Sequence, residues 1–117
     1  MSGMPGYDDG RIACLDREVL IRKYSVLRRP RHVTYESIRE ARQVPLGLMG
    51  RWRIHGSGDL LHWFNFDPGR PRKSRAIVLH LDSRIRPVLT PDDPDRVAEE
   101  LRQHGVNVTE GSEPGLR

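Results

Sequence analysis

Apolar and polar positions alternate along most of this chain in short runs, and turn-forming residues separate the runs. Ile12 and Cys14 share one face of a run at 11–15, and Asp16-Arg17 turns it. In the next run, 18–24, Val19, Ile21 and Lys23 oppose Leu20, Arg22 and Tyr24. Period-two alternation of this kind marks a half-buried strand. Residues 32–35 and 39–44 are also extended; the turn Tyr35-Glu36-Ser37-Ile38 separates them, and Pro45 and Gly47 end the second. Trp52 and Ile54 alternate with Arg51, Arg53 and His55. After the hairpin-type loop Gly56-Ser57-Gly58-Asp59, His62, Phe64 and Phe66 alternate with Leu61, Trp63 and Asn65. The spacing predicts about seven short strands, mostly antiparallel.

Residues 75–105 carry the clearest pattern. Ala76, Val78 and His80 face one way and Ile77, Leu79 and Leu81 the other, so this strand is expected to be covered on both faces. Asp82-Ser83 predicts a turn, with side chains that bond nearby amides, and residues 85–90 a returning strand. Pro87 points to an edge position for that strand, where a missing N–H does no harm. A helix is expected at 93–104. Thr90-Pro91 offers a competing start, but Pro94 disfavours helical geometry at Asp93, which places Asp93 at the cap and Pro94 at the first helical position. Asp95 then lies near the positive end of the helix dipole, Arg102 and His104 near the negative end, and Gly105 at the left-handed stop. Val97, Ala98 and Leu101 form the apolar stripe, with Glu99, Glu100 and Arg102 outside it. So short a helix is marginal alone in water, so it has to dock on the strands.

At 117 residues the chain is expected to form one domain over 10–105, with flexible ends at 1–9 and 106–117. Leu, Ile, Val and Phe total 29, enough for a modest core. No apolar run approaches the roughly 18 residues of a membrane span. Residues 1–9 carry no apolar signal region. The lone cysteine, Cys14, excludes an intramolecular disulfide and a cysteine-rich metal cage. A cytoplasmic, bacterial-type location, with peripheral membrane attachment as an option, fits these features. Charge is uneven: residues 1–86 hold 17 basic and 9 acidic side chains, residues 87–117 hold 3 and 7. A basic body attracts nucleic acid, anionic membrane or acidic protein alike.

Candidate chemistry is sparse. The loop carrying Arg70, Arg72, Lys73 and Arg75 is a candidate anion-binding site, and Leu27 to Arg31 forms a second basic loop. Arg51 and Arg53 with Trp63 make a candidate nucleic-acid face, in which the ring would stack a base. His32, His55, His62, His80 and His104 lack zinc-site spacing, so no metal is expected. Gly56-Ser57-Gly58 lacks the spacing of a nucleophile elbow, and Asp92, Asp93 and Asp95 are explained by helix capping. With no phosphate-cradling or dinucleotide motif either, the expectation is no catalytic residue, no cofactor and no enzyme activity.

Two stretches, Thr34-Tyr35-Glu36-Ser37-Ile38 with Val44, and Leu89-Thr90-Pro91-Asp92-Asp93-Pro94-Asp95 with Val97 and Leu101, resemble the bacterial pleckstrin-homology-like domains. The likeness covers about residues 10–105. It implies a mainly β fold: a partly open barrel of about seven antiparallel strands in two near-orthogonal sheets, capped by one C-terminal helix. It further implies a non-catalytic role, although members often accompany membrane segments and this chain shows none. The expected function is a protein-interaction or assembly module whose partner is another protein or a second copy, met through a strand edge. Peripheral binding of anionic lipid or phosphate groups through the basic loop is the alternative, followed by single-stranded nucleic-acid binding.

Overall fold

The computed structural model describes residues 6–24, 29–45, 75–83 and 85–111, and the backbone of 62–64. Strands β1 (Tyr7–Asp8), β2 (Ile12–Cys14), β3 (Glu18–Ile21) and β4 (Arg31–Thr34) form a four-stranded antiparallel meander. A short 3₁₀ turn, Tyr35–Ser37, leads into the second sheet. That sheet contains β5 (Glu40–Pro45), β6 (His62–Phe64), β7 (Arg75–His80), β8 (Arg86–Leu89) and β9 (Val108–Glu110), in the order β6-β8-β7-β5-β9. Helix α1 (Pro94–Gln103) touches β1 and β2 of the first sheet and β5, β7 and β9 of the second.

The mainly β architecture in two sheets with a C-terminal helix is therefore present. It differs in detail from about seven antiparallel strands. Nine strands occur among the described residues, and β5/β9 and β6/β8 pair in parallel. Both supposedly flexible ends contribute. Tyr7 pairs with Cys14 and Asp8 with Ala13 through a turn in which Gly10 has φ +90° and accordingly no Cβ. At the other end β9 runs beside β5, where Thr109 Oγ1 donates to Glu40 Oε2 (2.8 Å).

Helix α1 starts and stops where its caps dictate. Asp93 Oδ1 accepts from Arg96 N–H (3.1 Å) and Pro94 opens the first turn. Gly105, at φ +85°, lets its own N–H reach Arg102 O and Val106 N–H reach Leu101 O, both at 3.0 Å. Val97, Ala98 and Leu101 are buried as the stripe requires. Glu100 is buried too, against expectation. The incoming Gly6 lies so close that a Cβ there would meet Glu100 Oε1 at 2.0 Å, and Arg96 pairs with Glu100 Oε2 at 3.3 Å.

Strand β7 is covered on both faces, as its two apolar faces predict. Ile77 and Leu79 join the main core with Ile12, Ile21, Leu89 and Leu101, while Ala76 and Val78 join Val44 and Val88 in a second cluster. Pro87, expected at an edge, lies inside the sheet because β8 sits between β6 and β7. The strand tolerates it because its register with β7 ends at Val88, before proline would have to donate. In the Asp82-Ser83 turn, Asp82 pairs with Arg39 (2.7 Å) and Ser83 Oγ donates to Ile85 O (3.1 Å). The radius of gyration, 12.9 Å, is near the value of about 13 Å expected for a folded chain of this size. No described helix is long and apolar enough to cross a membrane.

Candidate functional site

Among the described residues, strand β4 is an outer strand of the first sheet. Arg31 and Val33 face Ile21 and Val19 in register, and Tyr35 N–H donates to Arg17 O (3.1 Å). Bonding direction alternates along an antiparallel strand, so the N–H and C=O of His32 and Thr34 point away from β3. Ser37 Oγ donates to Thr34 O (2.8 Å). That leaves His32 N–H, His32 O and Thr34 N–H without a partner among the described residues. The His32 ring is engaged on the sheet's outer face, where Nδ1 contacts a Glu18 carboxylate oxygen.

At the C-terminal end of β4 lies a cavity of about 450 Å³ lined by Asp16, Arg17, Thr34, Tyr35, Glu36 and His104. The Tyr35 and His104 rings stack within it, with centroids 4.1 Å apart and planes 10° from parallel. Each ring is anchored: Tyr35 OH donates to Leu15 O (2.7 Å), and His104 Nδ1 to Glu100 O (2.8 Å), one of the carbonyls at the end of α1. Burial first, then the negative charges of Cys14 (when ionised), Glu100, Asp16 and Glu18, hold the Tyr35 hydroxyl above its ordinary range.

The other perturbed groups hold the fold together. Asp9 Oδ1 accepts from Arg11 N–H (2.9 Å) and Ile12 N–H (2.8 Å), and Oδ2 from Tyr7 OH (2.6 Å) and Asp92 N–H (2.8 Å). Burial alone would raise the Asp9 carboxyl, but these bonds outweigh it and hold the group below the usual range. Burial, aided by the charges of Glu100 and Asp9, pushes the Cys14 thiol up to about 12, which leaves it protonated and unreactive.

Of the candidate anion-binding residues, Arg75 is described. Its guanidinium pairs with Asp95 Oδ1 (3.0 Å), which also accepts from Gln43 Nε2 (3.0 Å) and is held below the usual range, first by Gln43 and then by Arg75. Arg70, Arg72 and Lys73, like Arg51 and Arg53, lie outside the described residues, and Trp63 is described only as backbone of β6, opposite Pro87. No cluster of three or more His, Cys, Asp or Glu able to hold a metal occurs among the described residues. No family model, curated protein or solved structure matches the chain.

A strand edge is expected on sequence alone, but neither its place on β4 nor the cavity is among the candidates named there. The edge depends on which strand ends up outermost, a property of sheet order that no local pattern encodes. Tyr35-Glu36 does stand out in the sequence, but as a turn. Its stacking on His104 needs α1 docked against the first sheet.

Proposed function

We propose that this chain is a non-catalytic protein-interaction module of pleckstrin-homology-like fold, and that it captures an extended segment of a partner protein, or of a second copy of itself, along β4. The observation carrying this is the row of outward backbone groups at His32 and Thr34. An extended segment pairs with such a row through main-chain hydrogen bonds, and the exposed side chains of β4 add selectivity. The family resemblance draws support from the antiparallel meander followed by a second sheet and a C-terminal helix against both. The two parallel pairings set this chain apart from the all-antiparallel pattern. A role in binding anionic lipid or phosphate draws less support, because Arg75 is already paired with Asp95.

Thr34→Pro tests the proposal. Thr34 has φ −69°, which suits proline, and its N–H is outside the ladder, so the variant is expected to fold with unchanged or slightly higher stability. It removes an outward donor and sets a ring against the edge. The wild-type protein is expected to bind a fluorescent extended Thr/Val peptide or to gain mass with concentration in light scattering. Thr34→Pro should lose both properties, while Arg72→Glu retains them. Binding and assembly that persist in Thr34→Pro, or that are absent from the wild type, would overturn the proposal. Sedimentation with anionic vesicles that fades with salt and with Arg72→Glu would favour the lipid role instead.

A further inference from the structure

The cavity at the end of β4 is lined by two carboxylates, Asp16 and Glu36, against one permanent cation, Arg17. Asp8, Asp9, Glu18, Glu40, Asp95 and Glu100 all have partners, whereas Asp16 and Glu36 have none among the described residues. The last turn of α1 ends at His104, adding the negative pole of the helix to the same space. The stacked Tyr35 and His104 rings line the same space.

From this juxtaposition we infer that the cavity is a subsite for a basic side chain, the guanidinium of arginine or the ammonium of lysine, held between Asp16 and Glu36 beside the Tyr35–His104 stack. The inference rests on the strand-capture reading for the source of that side chain: Thr34, Tyr35 and Glu36 continue directly from β4, so a segment laid along the edge passes the cavity mouth. The subsite then selects among extended segments, a choice that main-chain pairing cannot make.

Two probes separate the subsite from the edge. N-acetyl-argininamide, which has no strand to add, is titrated into isotopically labelled protein and compared with the uncharged N-acetyl-citrullinamide. The Tyr35 and His104 resonances are expected to shift at concentrations about fivefold lower for the arginine compound, the scale of two exposed ion pairs. Asp16→Asn/Glu36→Gln abolishes the difference; both carboxylates are exposed and neither is bonded among the described residues, so the variant keeps its structure. Equal titration by both compounds, or an arginine preference that survives in the double variant, would overturn the subsite. The second probe is a Thr/Val peptide with one arginine, compared with its citrulline form on wild type and Thr34→Pro. Peptide binding without an arginine preference overturns the subsite and leaves the edge standing. An arginine preference unchanged by Thr34→Pro supports the subsite and removes the edge.

Discussion

Asp9 acts on two turns at once. One carboxylate oxygen closes the β1–β2 turn by taking the amides of Arg11 and Ile12, and the other reaches Tyr7 OH and the Asp92 amide just before α1. Tyr7 OH also accepts from Asp93 N–H (3.0 Å), so the N-terminal hairpin and the helix start share one network. The folded Asp9 carboxyl titrates below its unfolded value, so its contribution to stability is fully present above about pH 4 and disappears as pH falls through the folded value. Asp9→Ala strands several half-buried donors and is expected to cost about 2 kcal/mol at pH 7. Its deficit relative to wild type should shrink toward pH 3. Urea midpoints at the two pH values measure both effects, and a deficit independent of pH would contradict the account. Glu100 shows why burial at single positions is hard to read in advance. Nothing near it in sequence marks it as covered, because its cover is Gly6, and Arg96 Nη2 ties that segment down through Gly6 O (2.8 Å).

Elements were legible in the sequence where their determinants are local. Strand β7 declares itself by four consecutive buried positions, Ala76 to Leu79, filling both faces, and α1 by a cap, a proline and a left-handed glycine in and beside its own span. Strand β1 carries a local signal as well, the Asp-Gly turn, but has two paired residues to weigh against an otherwise polar terminus. Strand β9 has the β-branched sequence Val108-Thr109 and a partner, β5, more than sixty positions earlier. Its pairing exists only after α1 has docked and turned the chain back at Gly105. A chain ending at Asn107 keeps the helix stop, including the Val106 N–H bond, and loses β9 with the residues after it. It exposes the edge of β5, so a fall of about 5 °C in Tm with increased association on heating is expected. An unchanged Tm would mean that β9 adds nothing to the fold.

Across the whole molecule, α1 is what the two sheets have in common. The segment 6–9 is bound to 92–100 by the Asp9, Tyr7 and Gly6 contacts, so the N-terminal hairpin and α1 are clasped together although more than eighty positions separate them. The surface charge follows the same division: the basic body meets the acidic helical end in pairs such as Arg75 with Asp95. Beneath the clasp lies Cys14, on β2, fully buried and held in its thiol form. Such a thiol can react with a disulfide reagent only during moments when the hairpin lifts, so its rate of modification is a clock for that opening. Labelling is expected to be roughly a thousandfold slower than in the unfolded chain. It should quicken in Asp9→Ala, which weakens the clasp, and keep its pace in Thr34→Pro, which does not touch it. Equal rates in Asp9→Ala and wild type would mean that the thiol is uncovered by another route. A single side chain with no chemistry of its own in the folded state thus times how often the N-terminal hairpin and the helix let go of each other.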